Sequence, residues 1–230
     1  MRAEDRLGGK MSNLEKDIIK AINSISGKYS AYEVFTDWIR CCALAISNQC
    51  QLIHNKVWLE REQSYIDTMK KYSLEERKKF VEMFYMLTET LECEMTDVLG
   101  SIYMKSGMGS KAAGQFFTPY HVSKLCAAMS NPELDETGKC IMNEPSCGGG
   151  GMIIAAASIL KEKGINYQQA MDVVAQDLDW KGVYMCYLQL SLLGIKAVCV
   201  QGDTLQSPYV LGKTEHSHIL ITPAKMGVLL

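Results

Sequence analysis

Residues 143–151 combine an acidic side chain with four consecutive glycines, directly after a short apolar run. Consecutive glycines let the backbone turn tightly and approach a ligand with no side chain in the way. A helix that begins here presents free amide groups and the positive end of its dipole, as in folds that hold a phosphate. Glu144 precedes the glycines, and a carboxylate suits an ammonium group better than a phosphate. The segment therefore indicates a ligand that carries an amino group, with a ligand-free glycine-rich turn as the alternative.

Acidic residues also follow two later apolar runs. Asp177 comes after residues 172–175, where an acid commonly accepts hydrogen bonds from ribose hydroxyls in nucleoside-binding α/β folds. Asp179 competes for this role, although it also suits the cap of a following helix. Asp203 follows residues 196–200 and could accept a hydrogen bond from an adenine amine. A simple Gly-Asp turn is the alternative for Asp203.

A pair of aromatic residues, Phe116 and Phe117, precedes a Thr-Pro pair. Thr118 suits the N-cap of a helix, and Pro119 suits its first position. The aromatic rings could cover one end of a bound ligand, or they could join two domains as an apolar contact. Both interpretations remain open on this motif alone.

Candidate strands and helices alternate along the second half of the chain. The strand candidates are residues 140–142, 172–175, 196–200 and 218–222, and the helix candidates are residues 152–160 and 179–193. Such alternation predicts a parallel sheet with helices on both faces. Because these sheets bind ligands at the carboxyl ends of their strands, we expect the glycine segment, Asp177 and Asp203 to meet at one edge.

Helical periodicity dominates the first half of the chain. Leu14, Ile18 and Ile22 recur at helical spacing. Ser73 and Glu76 have the spacing of a capping box at the start of another helix. We therefore expect three regions, which are a disordered extension over residues 1–12, a helical domain over 13–113 and a ligand-binding α/β domain over 114–230.

Composition is that of an ordinary globular protein, with 47% hydrophobic and 22% charged residues. The formal net charge of -2 argues against a strongly basic nucleic-acid binder. The nine cysteines include no Cys-x-x-Cys pair, and their odd number indicates free thiols in a reducing compartment. No apolar run reaches the roughly 18 residues of a membrane span. These features predict a cytoplasmic protein without a membrane partner.

The motifs together resemble a family. Residues 114–119, 144–150, 176–177 and 202–205, in this order, resemble the motifs of the gamma-class adenine-N6 DNA methyltransferases. The similarity is greatest to methylation subunits of type I restriction–modification systems and to related phage or mobile-element methylases. Residues 97–103 also resemble the helical lead-in of that family. The resemblance extends roughly over residues 75–222.

This resemblance implies the cofactor S-adenosylmethionine (SAM) and no metal. It also implies an α/β, SAM-dependent methyltransferase-like (Rossmann-like) parallel sheet, truncated at the C-terminus and preceded by an all-α N-terminal domain. By the same resemblance Asp177 holds the ribose and Asp203 the adenine. The remaining cofactor-binding residues would be Gln115, Phe116, Phe117, Thr118, Glu144, Ser146, Cys147, Gly148 and Gly150.

The catalytic motif of that family follows the fourth strand and reads Asn or Asp, then Pro-Pro, then an aromatic residue. Its amide accepts a hydrogen bond from the target amine, and its ring stacks on the base that has left the helix. This chain has residues 222–225, Thr-Pro-Ala-Lys, at the matching place. Thr222 and Pro223 are therefore the catalytic candidates, although a hydroxyl differs from an amide in geometry.

The resulting hypothesis is adenine-N6 DNA methylation or a direct derivative of it. The partners implied are DNA and a specificity or partner subunit, with a homo-oligomer as a further option. The altered motif at residues 222–225 favours an alternative, a non-catalytic SAM-binding or regulatory subunit of a DNA-modification complex. A nicotinamide or flavin enzyme is disfavoured by Glu144 and by the aromatic pair.

Overall fold

The computed structural model describes residues 3–108 and 117–228. Its first half forms the helices α1 (Ala3–Ile25), α2 (Ala31–Gln49), α3 (Lys56–Met69), α4 (Leu74–Cys93) and α5 (Val98–Lys105). Helix α4 begins with the capping box predicted from the sequence. The Ser73 hydroxyl accepts a hydrogen bond from the Glu76 amide, and the Glu76 carboxylate accepts one from the Ser73 amide. That prediction is confirmed, and the pairing explains why this helix begins where it does.

Helix α1 begins at Ala3, whereas the sequence predicted a disordered extension over residues 1–12. Ile18, Ile22 and Ile25 of this helix are buried in the core. A helix whose formation is secured by such packing extends toward its N-terminus at little further cost, because each added residue contributes one hydrogen bond. The backbone of residues 3–12 is accordingly helical, in contrast to the expectation.

Strands and helices alternate in the second half. In chain order the elements are α6 (Tyr120–Ser130), β1 (Cys140–Glu144), α7 (Gly151–Glu162), α8 (Tyr167–Ala170), β2 (Met171–Asp177), α9 (Trp180–Leu192), β3 (Ala197–Gln201), β4 (Ile219–Ile221) and α10 (Pro223–Met226). The alternation predicted from the sequence is therefore present, and the fold is α/β with a mostly parallel sheet.

The sheet has the strand order β1-β2-β3-β4. Strands β1, β2 and β3 are parallel, with Glu144 opposite Ala175 and Asp177 opposite Gln201. The carboxyl ends of these three strands therefore meet at one edge of the sheet. The segments that follow them, which carry the glycines, Asp177 and Asp203, start from that edge.

Helices α7 and α9 pack on the same face of the sheet, whereas the sequence predicted helices on both faces. The core on that face includes Met171, Val173 and Ala175 of β2. The other face carries a small separate cluster that contains Val198 and Val200. The reason is topological. The order β1-β2-β3 advances in one direction, so successive right-handed crossovers place their helices on one side.

Strand β4 pairs antiparallel with β3, so the predicted parallel sheet is parallel over three of its four strands. Residues 202–218 connect the two strands with turns and one short 3-10 helix but no α-helix. A parallel strand needs a crossover, usually a helix, to return the chain to the opposite edge. Here the connection remains at the carboxyl edge, and β4 enters the sheet from there.

Thr222 consequently lies at the amino-terminal edge of β3. Its buried hydroxyl donates a hydrogen bond to Ile195 O at 2.8 Å and accepts one from the Ala197 amide at 2.9 Å. Pro223 follows as the first residue of α10. Ala197 stands four residues before Gln201 at the carboxyl end of β3, so Thr222 is separated from that end by about 13 Å of strand.

One hydrophobic core extends through both halves of the chain. Trp38 of α2 is fully buried and its indole donates a hydrogen bond to Phe80 O at 3.1 Å. Helix α9 contacts α2 on one side and strands β2 and β3 on the other. The division into a helical domain over 13–113 and an α/β domain over 114–230 stays a prediction.

The Arg61 side chain connects strand β4 to helices α2 and α3. Its buried guanidinium donates hydrogen bonds to Ser47 Oγ at 3.1 Å and to Ile219 O at 2.5 Å. Burial lowers the pKa of this group from its ordinary value. The side chain therefore joins α2, α3 and the last strand through buried polar contacts.

The position of Thr222 predicts a structural rather than a ligand-binding role. Thr222→Val keeps the shape of the side chain but leaves the Ala197 amide without its partner. We expect the free energy of unfolding to fall by about 1–3 kcal/mol. Denaturant unfolding measures this loss, and Thr222→Ser, which keeps the hydroxyl, should retain most of the stability. A Val variant as stable as the wild type would contradict the assignment.

Candidate functional site

The glycine segment forms a tight turn between β1 and α7. The Cys147 amide donates to Gln176 O at 2.9 Å, and the Gly150 amide donates to Cys147 O at 2.7 Å. Gly148 and Gly150 adopt φ values of 49° and 90°. These left-handed conformations favour glycine, because a Cβ would crowd the backbone there. The turn therefore takes the form that the sequence predicted.

Asp177 is held against this turn. One carboxylate oxygen accepts a hydrogen bond from the Gly148 amide at 2.8 Å, and the other accepts one from the Asp179 amide at 2.9 Å. A Cβ added at Gly182 would lie 3.1 Å from Asp177 Cγ, so α9 approaches the carboxylate closely. Each oxygen retains a second lone pair for a ligand hydroxyl. Asp179 instead caps α9, because its side chain accepts from the Lys181 amide.

Phe117 packs directly on the glycine turn. A Cβ added at Gly148 would lie 2.8 Å from a carbon of the Phe117 ring. The same ring meets the Tyr103 ring in an edge-on arrangement, with 5.1 Å between centroids. The Tyr103 hydroxyl in turn accepts a hydrogen bond from Lys181 Nζ at 3.1 Å. Phe117 thus connects the glycine turn to α5 and α9.

The sequence predicted that Thr118 caps helix α6, but the structure does not show this cap. The helix begins at Tyr120 with Pro119 at its N-cap and has no side-chain capping hydrogen bond. The boundary therefore lies one residue later than expected, and Thr118 lines the cavity described below. Gln115 and Phe116, predicted to contact the cofactor, lie outside the described residues.

A cavity of about 350 Å³ lies between the glycine turn, the Phe117–Thr118 segment and the end of β2. Its volume falls in the range of roughly 300–1,000 Å³ that is usual for small-molecule sites. Several predicted site residues meet here, namely Phe117, Thr118, Ser146, Cys147, Gly148 and Asp177. Gly149, Gly151 and Met152 complete the wall next to the start of α7.

Two further lining residues, Asp97 and Ser123, were not predicted as site residues. Asp97 is buried at the N-cap of α5, where Oδ1 accepts hydrogen bonds from the Gly100 amide at 2.9 Å and from Gln189 Nε2 at 2.8 Å. Ser123 is buried on α6. Asp97 stood in the segment that resembled the family's lead-in, which could have identified it. No sequence signal distinguishes Ser123.

Glu144 and Asp203 make local contacts instead of lining this cavity. A Glu144 carboxylate oxygen accepts a hydrogen bond from the Ser146 amide at 3.3 Å. Asp203 Oδ1 accepts from the Leu205 amide at 2.9 Å, which is the turn considered as its alternative role. Gly150 is the N-cap of α7 and is not among the residues that line the cavity. Cofactor contacts of these three residues stay predictions.

The structure does not bring Thr222 and Pro223 to the cavity. Both lie at the amino-terminal edge of the sheet, whereas the cavity lies at the carboxyl edge. The antiparallel course of β4 is the physical reason, because it carries the end of this strand away from the ends of β1 and β2.

Within the described residues, no group of three or more His, Cys, Asp or Glu side chains is arranged to hold a metal ion. No helix in the same part of the chain is long and apolar enough to cross a membrane.

The close packing of Phe117 on Gly148 makes a testable prediction. Gly148→Ala combines an unfavourable positive φ with a clash against the ring, so we expect a loss of about 2–5 kcal/mol in the free energy of unfolding. Gly164→Ala is the matched control, because Gly164 has a φ of 77° and open space around its added Cβ. It should lose only about 1–2 kcal/mol. Equal losses in denaturant unfolding would argue against the Phe117 contact.

Known proteins were compared with the chain and its fold. A comparison with curated protein sequences gave no match. Among solved structures, a Listeria monocytogenes protein assigned as a class I S-adenosylmethionine-dependent methyltransferase is similar, with a TM-score of 0.48 and 10% sequence identity. The similarity covers 86% of this chain and 56% of that chain, so this chain spans little more than half the length of that protein.

A family comparison is more specific. The sequence model of the N-6 DNA methylase family matches residues 94–224, which is more than half of the chain. The match includes β1 to β4, the glycine turn, Asp177 and the α5 segment that carries Asp97. The chain therefore belongs to the N-6 DNA methylase family.

Proposed function

We propose that the chain binds SAM in the cavity between the glycine turn and Phe117. The charge of the lining carries this proposal. The described lining residues include two carboxylates, Asp97 and Asp177, and no Lys or Arg. Such a lining suits a ligand with cationic groups, and SAM carries both a sulfonium and an ammonium group. A dinucleotide is a poorer candidate because its pyrophosphate is anionic. Pyrophosphate binds best to basic side chains, or to backbone amides without carboxylates beside them.

The shape of the cavity fits the same ligand. Gly148 has no Cβ, so the Phe117 ring can lie directly against the turn at the wall of the cavity. Asp177 would accept hydrogen bonds from the ribose hydroxyls, because its orientation is set by the Gly148 and Asp179 amides. Phe117 and Thr118 would cover the ligand and exclude water. When bound, SAM supplies an electrophilic methyl group, and the residues around it provide orientation and a dry environment.

Membership of the N-6 DNA methylase family supports the amino group of a DNA adenine as the methyl acceptor. The chain has a formal net charge of -2, which is unsuited to binding a phosphate backbone without help. We therefore propose that a specificity or partner subunit supplies most of the DNA contacts.

One observation favours a second function, that of a non-catalytic SAM-binding subunit. Thr222 and Pro223 stand where the family has its catalytic motif in sequence, yet they lie at the edge of the sheet that faces away from the cavity. The described residues next to the cavity offer no Asn-Pro-Pro arrangement for a target amine. A subunit of this kind would retain the cofactor and leave methyl transfer to another chain.

Calorimetric titration with SAM tests the binding proposal. We expect micromolar affinity for the wild type and a loss of about tenfold or more in Asp177→Ala, because a half-buried acceptor for ribose is removed. Asp172→Ala is a matched control, since Asp172 lies at the opposite end of the same strand and pairs with Lys225. It should bind SAM normally. Absence of SAM binding by the wild type at millimolar concentration would refute the proposal.

Methyl transfer distinguishes the two functions. The chain is incubated with SAM and duplex DNA, and N6-methyladenine is measured by mass spectrometry after digestion of the DNA. Methylated adenine that disappears in Asp177→Ala would establish the enzyme. SAM binding without any methyladenine, at DNA concentrations at which the chain is shown to bind the duplex, would favour the non-catalytic subunit.

A further inference from the structure

One carboxylate oxygen of Asp97 is left available to a ligand. Oδ1 already accepts hydrogen bonds from the Gly100 amide and from Gln189 Nε2. Oδ2 accepts no hydrogen bond from any described residue, although Asp97 lines the cavity. The residue as a whole is buried, and a carboxylate oxygen in such surroundings normally has a donor, because even partial desolvation without one is costly.

Ser123 supplies a second and independent observation. Its side chain is fully buried, and its hydroxyl has no hydrogen-bond partner in the part of the chain that the structure describes. It lines the same cavity as Asp97. An unpaired buried hydroxyl costs free energy that a ligand with a polar group at this point would recover.

The two oxygens converge on one place beside Gly151. A Cβ added at Gly151 would lie 3.1 Å from Asp97 Oδ2 and 3.5 Å from Ser123 Oγ. The φ of Gly151 does not itself require a glycine, so the close approach of these oxygens is what disfavours a side chain there. Both oxygens therefore lie on the same side of Gly151, and a polar ligand group in the cavity would meet them together.

Among the residues that the structure describes, none supplies a compensating positive charge to Asp97. Burial raises the pKa of this carboxyl, while the hydrogen bonds from Gln189 and Gly100 act in the opposite direction. Glu15 is the charged group that contributes most among the neighbours, and its negative charge raises the pKa further. A cationic ligand group would supply the countercharge that the described residues do not.

We infer that Asp97 and Ser123 form a subsite that binds the amino group of a SAM-type ligand. The inference rests on the proposed SAM binding and names the residues that recognise one end of the ligand. Asp177 is fixed at the Gly148 end of the cavity and Asp97 at the Gly151 end, so ribose and amino group would occupy opposite ends. The sequence had suggested Glu144 for the amino group, but Glu144 does not line the cavity.

A pair of ligands that differ only in this amino group tests the subsite. The pair is S-adenosylhomocysteine and its deamino analogue, 5′-S-(3-carboxypropyl)-5′-thioadenosine. We expect the wild type to bind S-adenosylhomocysteine about tenfold or more tightly than the analogue, as measured by calorimetry. In Asp97→Asn this preference should disappear, with the affinity for the analogue unchanged. The asparagine oxygen can still accept both hydrogen bonds of Oδ1, so the fold is retained.

Ser123→Ala should reduce the preference by a smaller factor, roughly threefold to tenfold. Ser191→Ala is the matched control, because Ser191 is also a buried helical serine but does not line the cavity. Its variant should bind both ligands like the wild type. Equal weakening of both ligands by Asp97→Asn, or no preference in the wild type, would overturn the subsite alone. Failure of the wild type to bind SAM or either analogue would refute the proposed function itself.

Thermal unfolding without ligand separates recognition from folding. The side chain of an Asp in the unfolded chain has a pKa of about 3.9. The pKa of Asp97 in the folded chain lies above its ordinary value. The wild type therefore loses stability as pH rises through the window between those two pKa values. Asp97→Asn avoids this loss, so its melting temperature should equal or exceed that of the wild type at pH 7.5. A markedly lower melting temperature would show that Asp97 acts through folding and would overturn the inference.

Discussion

The side-chain amide of Gln189 joins three parts of the molecule at one buried point. Its nitrogen donates to Asp97 Oδ1 and to Gly149 O, both at 2.8 Å, and its oxygen accepts from the Leu99 amide at 3.1 Å. These bonds connect α9 to the start of α5 and to the glycine turn. Both polar atoms of this buried amide have hydrogen-bond partners. A buried polar group that is fully paired in this way favours a single packing arrangement of the elements that it joins. The relative positions of the helical half, the sheet and the cavity depend on this contact.

The positions of the two carboxylates in the cavity follow from strand pairing and from the Gln189 contact. Parallel pairing of β1 and β2 brings Asp177 to the glycine turn, and the Gln189 contact holds Asp97 on the other side of the same turn. Two carboxylates with no described basic residue beside them give the lining an acidic character, which is the basis of the proposed binding of a cationic ligand. The same geometry explains why four glycines are needed, since neighbouring side chains approach Gly148, Gly149, Gly150 and Gly151 to within 2.8–3.2 Å of an added Cβ.

The antiparallel last strand separates the cavity from residues 222–225, which stand at the place of the family's catalytic motif in the sequence. Residues 202–218 remain at the carboxyl edge, where Thr204 donates a hydrogen bond to Pro145 O at 2.6 Å and Gln176 Nε2 donates to Ser207 O at 3.0 Å. Strand β4 then runs away from the cavity and ends at Ile221. The hydroxyl of the next residue, Thr222, accepts a hydrogen bond from the Ala197 amide at the start of β3. Among the described residues beside the cavity there is no Asn-Pro-Pro arrangement, which accords with the proposal of a chain that binds SAM but relies on other residues or another chain for methyl transfer.

Sequence alone determined the features that depend on local chemistry. Alternating apolar runs specified the strands, the Ser73–Glu76 pair specified a helix start, and consecutive glycines after a strand specified the turn. The order of motifs specified the family. Each of these follows from neighbouring residues, because hydrogen-bonding capacity, side-chain size and period act over a few positions of the chain.

Tertiary structure alone decided the features that depend on distant segments. The direction of β4 depends on whether the preceding segment crosses the sheet. The residues of the strand itself, 219–221, do not determine that direction. Asp97 and Ser123 come to one point only because α5, α6 and α7 pack together around Gly151. An aspartate that caps a helix and a serine within a helix look ordinary in sequence. Their unpaired oxygens become visible only when burial and the positions of all neighbouring donors are known.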